Sequence, residues 1–294
     1  MSVEGSVSER TESAAVEDLR IQPEGFLIEL SLDWIVLRAS ENIHRFLGES
    51  HVTMIDEPLG RFVQARPLHD LRNLFSRLGG TTGVARAYQV RLTDDPRRFD
   101  IAFQMSAGRV LLEATSSPSS GMGELIGSVV GLIDGLAGLS GSALRDSAAR
   151  RMRALTGFDA VTYVDAEGRL QAESRRPGIA AIRDRAIPVR AGQHARLIAD
   201  IHADPVPLFP RAARDRAAGA ALLRSPREGE RDQLIADGIA STMRVPVRLD
   251  GDVLGCFECD HCSPRKANLE LQAAAELFAR MFAMRTEIDV MKSR

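Results

Sequence analysis

From residue 21 onward, apolar and polar positions fall into two successive blocks of short strands and helices. Residues 26–30 (Phe-Leu-Ile-Glu-Leu) and 34–38 (Trp-Ile-Val-Leu-Arg) are β-prone runs separated by a Ser-Leu-Asp turn. Residues 40–47 predict a short helix with Ser40 as its N-cap. Leucines at 68, 71, 74 and 78 mark one face of an amphipathic helix. Residues 88–92, 99–103 and 110–113 alternate or run apolar as three later strands. Two strands, short helices and three strands make an antiparallel sheet flanked by helices.

Ser116-Ser117-Pro118-Ser119-Ser120-Gly121 separates this block from the next. A helical region then runs to about Leu155 and ends at Gly157, which suits a C-cap. Its glycines at 127, 131 and 135 share one face, open to close approach by another element. A second sheet is predicted from residues 160–164, 170–174, 243–249 and 253–260, the last two joined by an Asp250-Gly251 hairpin turn. Helices are expected over 228–237 and 268–292. Leu277, Met281, Met284, Ile288 and Met291 step by four, three, four and three, a heptad seam. Ala274 extends it backwards, and its first turns are expected to pack on the chain's own sheet and its last ones on a second copy. The expected division is a disordered tail (1–18), a first domain (19–117), a linker (118–121), a second domain (122–267) and a C-terminal dimerisation helix (268–294).

Composition leaves this picture globular: 44% of residues are hydrophobic and 27% charged, with a net charge of -2. No global basic field exists to hold nucleic acid or an anionic membrane. The most apolar stretch, 125–139, is cut by glycines, carries Asp134 and is too short to span a bilayer. The polar, acidic N-terminus is not a signal peptide. All three cysteines fall within seven residues, so no disulfide framework is present and a reducing cytoplasm is the expected location.

Several ordered stretches together resemble the PAS–GAF, chromophore-binding half of phytochromes. Ile21-Gln22-Pro23-Glu24-Gly25 is similar to that family's Ile-Gln-Pro-His-Gly opening motif, with Glu24 in place of histidine. Ser40-Glu41-Asn42 with Phe46-Leu47-Gly48 resembles its first PAS helix, and 99–101 followed by 108–113 its closing hairpin. Leu155-Thr156-Gly157-Phe158-Asp159 leading to Tyr163 resembles the start of a GAF domain. So do 173–178, 196–200, Leu223-Arg224-Ser225, and the run from Asp250-Gly251 through Cys259, His261, Ser263, Pro264 and Arg265. The resemblance implies an α+β fold: two domains, each with a central antiparallel sheet flanked by helices, and a long C-terminal helix. It also implies a knotted N-terminal segment, with the strand around Ile21 threaded through a lasso containing 223–225.

Departures from the family pattern bear on function. No cysteine precedes Cys256, so the upstream thiol that bacterial phytochromes add to biliverdin has no counterpart, and 201–224 lacks the alternative GAF cysteine. The Pro-Ala-Ser-Asp-Ile-Pro motif is reduced to Ile187-Pro188. The family histidine beside the bilin falls near Gln193, with His194 one position away, and His261 matches the histidine near the D-ring. Cys256, Cys259 and Cys262 have a C-x2-C-x2-C spacing that suits zinc or iron–sulfur sites in a loop. On a strand, however, Cys256, Glu258 and Asp260 face one way and Phe257, Cys259 and His261 the other. These cysteines read as structural, with no metal site.

No serine elbow, Walker loop, kinase motif or acid–base carboxylate pair is present, so the chain reads as a non-catalytic sensor. The expected ligand contacts are His261, Cys259, Gln193, His194, Ile187 and Tyr163. The expected function is a phytochrome-like regulatory module in signal transduction, with its GAF pocket empty or filled by a non-covalent ligand such as biliverdin or haem. Two alternatives stand beside it: a haem- or metal-based redox sensor using Cys259 and His261, and a protein-interaction scaffold. The expected partners are a second copy and a downstream signalling protein or C-terminal output domain, with no nucleic acid and no membrane.

Overall fold

The computed structural model describes residues 18–78, 83–117, 122–179, 194–211 and 220–292. All of the expected tail except Asp18, the 118–121 linker, Ile187 and Gln193 lie outside these residues. Five strands of the first block pair antiparallel: β2 (Gly25–Leu30), β3 (Val36–Ser40), β4 (Val84–Val90), β5 (Phe99–Ser106) and β6 (Arg109–Ser116). One face of this sheet presents Phe26, Ile28, Val36, Phe99, Ile101, Phe103 and Leu112 to the short helices α1 (His44–Leu47) and α2 (His51–Met54) and to α3 (Ala65–Ser76). Leu68 and Leu71 are the buried members of the leucine stripe on α3.

Three local expectations shift by a few residues, each for a hydrogen-bonding reason. Ser40 does not cap a helix; it ends β3, where its hydroxyl accepts the Leu27 N–H at 3.2 Å. The helix therefore starts only at His44. Trp34 sits at φ 66° inside a turn whose Ser31 hydroxyl accepts the Asp33 and Ile35 N–H groups, so β3 begins at Val36. β4 runs earlier than 88–92 because its register breaks between Ala87 and Val90, with Gln89 at φ 57°.

Two further strands complete this sheet, β1 (Arg20–Ile21) and β10 (Val206–Phe209), giving the order β1-β10-β3-β2-β6-β5-β4. The proline-rich run 204–210, which reads as a solvated loop in sequence, thus contributes a strand from the second domain to the first domain's sheet. Arg20 and Ile21 pair with Pro207 and Val206, and Leu208 and Phe209 pair with Ser40 and Ala39. On the far side Ile21 bridges Arg224. The N-terminal strand is therefore held on both sides by the second domain. The part of the loop that would close the expected knot, 212–219, lies outside the described residues.

The predicted helical region is two helices, α4 (Met122–Asp134) and α5 (Gly141–Thr156), broken where Gly138 and Gly141 adopt positive φ. Gly157 caps α5 in the left-handed conformation. The second sheet has the order β8-β7-β12-β11-β9, from β7 (Ala160–Asp165), β8 (Leu170–Arg175), β9 (Arg196–Ile198), β11 (Ser241–Leu249) and β12 (Asp252–His261). α6 (Glu228–Ala236) precedes β11, and α7 (Leu269–Lys292) follows β12. α5 and α7 cover one face of this sheet, burying Val161, Tyr163, Met243, Val245, Phe257, Cys259, Phe278 and Phe282 together.

The outer face of the first sheet is the joint between domains. Leu27 and Leu111 pack with Ile21, Leu208 and Leu223, and Ala102 packs with Leu222 and Leu269. Gly25 permits this approach, since a Cβ there would lie 2.5 Å from the Ala114 carbonyl and 2.6 Å from the Leu223 side chain.

Candidate functional site

With α5 and α7 packed on one face of the second sheet, the other face is the candidate ligand surface. Strand alternation fixes which residues look that way. Cys256, Glu258 and Asp260 on β12 stand opposite Pro246, Arg244 and Thr242 on β11, and opposite Val164, Thr162 and Ala160 on β7. Arg244 and Thr242 in turn stand opposite Arg196 and Ile198 on β9.

Charges, not apolar side chains, meet at the centre of this second face. Glu230, in the first turn of α6, accepts the Arg196 guanidinium at 3.2 Å and the Arg244 guanidinium at 3.3 Å. Arg244 also lies 3.8 Å from Glu258. Arg196 donates to the Arg224 carbonyl at 3.1 and 3.3 Å, which ties the cluster to the segment that holds β1. Burial alone would raise the Glu230 carboxyl; the Arg196, Arg244 and Arg224 charges outweigh it and hold the group below its ordinary range. Burial pulls Arg196 down to about 10, so it keeps its charge at neutral pH. Beside this cluster the Thr242 hydroxyl donates to Asp260 at 2.7 Å.

The opening motif reaches the same sheet. Gln22 is buried, and its side-chain amide donates to the Leu197 carbonyl and accepts the Ala199 N–H, both at 2.7 Å. That pairing substitutes for a neighbouring strand along β9, the edge of the sheet. Glu24 is half-buried, and burial, reinforced by Asp200, raises its carboxyl despite an opposing backbone hydrogen bond.

The sequence-predicted ligand contacts do not converge on this face. Cys259 and Tyr163 point into the helix-covered core; the Tyr163 ring lies 5.0 Å from Phe257 and 5.1 Å from Phe282. Cys259 is fully buried, and desolvation pushes its thiol well above the ordinary range. His261, at the end of β12, holds Asp159 at 2.5 Å and packs its ring on Phe158. Burial would raise Asp159, but the Cys262 N–H, His261 and Arg176 together lower it. His194 lies 3.8 Å from Glu276, which also receives Arg86 of the first domain, so it belongs to the joint between domains. Ile187 and Gln193 fall outside the described residues.

Of the three cysteines, Cys256 alone faces the second side of the sheet by register; it is 3% exposed, and burial pushes its thiol up to about 12. No group of three or more His, Cys, Asp or Glu side chains among the described residues forms a metal-binding set. A cleft of about 710 Å³ lies elsewhere, between α3 and β4, lined among others by Gln64, Arg66, Asp70, Tyr88 and Arg98. Sequence reasoning missed Glu230, Arg196, Arg244 and Gln22 as a set. The alternation that separates Glu258 from Cys259 also places Arg244 beside Glu258, once the register between β11 and β12 is known.

Known proteins share this architecture. The GAF domain model matches residues 142–289, and a PAS fold model matches residues 18–114. A bacteriophytochrome of Pseudomonas aeruginosa is 25% identical over 297 residues, covering 89% of this chain; the chain spans 38% of that protein's length. The chromophore-binding domain of the unusual bacteriophytochrome RpBphP3 from R. palustris superimposes with a TM-score of 0.77 at 23% identity, covering 94% of this chain and 96% of that one. The chromophore binding domain of Stigmatella aurantiaca phytochrome P1 gives 0.76 at 23% identity, covering 92% and 98%. The photosensory core module of Stigmatella aurantiaca phytochrome gives 0.79 at 21%, covering 98% of this chain and 61% of that one.

Proposed function

The chain belongs to the GAF domain family and, with its PAS fold, is a phytochrome-like sensory module; we propose that it signals without a covalently attached bilin. The observation that carries this reading is the Arg196–Glu230–Arg244–Glu258 cluster on the second face of the GAF sheet. Seating a tetrapyrrole against that face means parting ion pairs that satisfy one another. Thioether formation also needs a thiolate. Cys256 faces the right side, but with its thiol at about 12 it stays protonated at any physiological pH. The environments of Cys259 and His261, a packed core and a carboxylate pair, do not favour a haem or metal redox centre.

Signalling on this reading runs through contact. The C-terminal turns of α7 expose Met284 (46%), Ile288 (45%) and Met291 (63%), and Leu277 is also exposed, while Met281 is half-buried and Ala274 fully packed. Gly127 and Gly131 on α4 open onto empty space beside the exposed Val130. This pattern suits a homodimer with the two α7 helices side by side, passing a change on to an output domain or a separate signalling protein. Among the described residues no helix is long and apolar enough to cross a membrane. The cytoplasmic location proposed here rests on three cysteines that stay free thiols.

The test is incubation of the purified protein with biliverdin, and separately with haem, followed by absorbance and by acid denaturation. The expected result is no red-absorbing adduct that survives denaturation. An adduct that stays with the denatured chain would overturn the proposal.

A further inference from the structure

β4 is the outermost strand of the seven-stranded sheet, and among the described residues no strand pairs with its outer edge. The cleft of about 710 Å³ between α3 and β4 runs along that edge. Five successive residues, 87–91, line it. Even with the bulge at Tyr88 and Gln89, a cleft against one face of the sheet would meet only alternate side chains, so this one meets the strand edge-on. On α3 the lining positions recur from Arg66 through Asp70 and Asn73 to Arg77, a single stripe along the helix. The stripe is about 16 Å long, the reach of about five residues of extended chain.

The chemistry of the cleft changes along this length. Leu71 and Leu74, midway along the stripe, are apolar. Arg66 and Arg77 stand at its two ends, both exposed, and their guanidinium groups make no hydrogen bond or ion pair among the described residues. Arg91 and Arg98 add positive charge from the β4 side. Arg91 is held by the Thr93 and Asp95 carbonyls at 3.2 and 3.1 Å, and Arg98 by the Gln89 carbonyl at 3.0 Å. Asp70 is the one acidic lining residue. Asp94 and Asp95, which follow β4 in sequence, are held by Gln64 at 2.7 Å and Arg97 at 3.0 Å.

We propose that this groove is a docking site for an extended acidic segment of a partner protein, which adds to β4 as a further strand of the sheet. Main-chain hydrogen bonds to an open edge provide affinity, and alternate side chains provide selectivity. The first, third and fifth residues of an extended chain share a face. A segment of the pattern acid-x-apolar-x-acid therefore lays its apolar side chain over Leu71 and Leu74 and brings a carboxylate to each terminal arginine, which can bind it through two parallel hydrogen bonds. A free phosphate would occupy one end and leave the apolar middle unfilled. The opposite side of this sheet already takes a strand from outside the PAS block, since β10 pairs with β3. The receiving strand also carries Arg86, paired with Glu276 of α7 at 2.9 Å, so an occupant of the groove abuts the strand that contacts that helix. None of this depends on whether the second face of the GAF sheet holds a ligand.

Fluorescence anisotropy with a labelled Ser-Glu-Thr-Val-Thr-Glu-Ser peptide, paired with hydrogen exchange of residues 84–91, tests the site. The full chain should bind this peptide saturably, and amides within 84–91 should exchange roughly tenfold more slowly in its presence. Replacing both glutamates of the peptide by lysine should weaken binding by at least about tenfold. N-methylation of its valine and threonines, which removes main-chain donors and keeps every charge, should weaken it by about tenfold. Arg66→Glu combined with Arg77→Glu, at two exposed positions the fold does not rely on, should reverse the preference in favour of the lysine peptide. The proposal is overturned by no saturable binding up to about 1 mM, by equal binding of the N-methylated peptide, or by an unchanged preference in the double variant. Protection of 84–91 that rises with protein concentration in the absence of peptide would assign the groove to a second copy and overturn it as well.

Discussion

Replacing Gln22 by alanine deprives the Leu197 carbonyl and the Ala199 N–H of their partner at a buried edge. Each orphaned group costs about 1–3 kcal/mol, so Gln22→Ala should lower stability by about 2–6 kcal/mol, read as a shift in the urea midpoint at unchanged slope. Glu230→Gln should cost about 1–3 kcal/mol, because two partly buried arginines lose their counter-charge. Its pH signature is distinct. The folded-state carboxyl lies below its ordinary 4.5, so its contribution is complete above that value and vanishes as pH falls through the lower folded one. Stability measured from pH 6 down to pH 3 should therefore decline less steeply in Glu230→Gln than in the wild type. At this scale the sequence was informative about which residues matter and less so about where they point. Gln22, Arg196 and Arg224 all lie in stretches that resemble the family, yet their meeting depends on side chains converging from β9, α6 and 220–225. His261 was visible as a lone histidine on a strand; that Asp159 would hold it could not be read from spacing alone.

The most legible strands were apolar runs bounded by turn residues, because most of their positions are buried on both faces of a sheet. β2, β5, β6, β7, β11 and β12 fall close to the predicted runs. β10 was illegible because its partners β1 and β3 lie far back in the chain and the three prolines in 204–210 read as loop. Ser40 misled because a serine hydroxyl serves equally well as helix cap or cross-strand acceptor. On α7 the heptad seam divides in two, with Ala274 and Phe278 packed on the GAF core and Met284, Ile288 and Met291 facing outward. Ile288→Asp should leave the far-UV spectrum intact and weaken self-association by on the order of tenfold to a hundredfold in sedimentation equilibrium. A monomeric wild type at high micromolar concentration would remove the basis for that interface.

At the scale of the whole molecule, the two domains share a sheet, the buried Glu113 carboxylate of β6 that accepts the Leu222 and Leu223 N–H groups, and an Arg86–Glu276 ion pair, so they are expected to melt as one unit. Trp34, the chain's one tryptophan, lies in the PAS core and reports that domain alone, whereas far-UV dichroism reports both. Coincident thermal transitions by the two probes are the expected outcome; separate midpoints would show that the shared sheet does not couple the domains. β10 also imposes an order on the birth of the protein. A ribosome releases the PAS strands first, but β3 has no partner on its free edge until residues 206–209 have been made. Until then the nascent chain carries an open strand edge to which any other extended segment could pair. The first domain is finished by the second: until residue 209 has been made, the edge of β3 stays open.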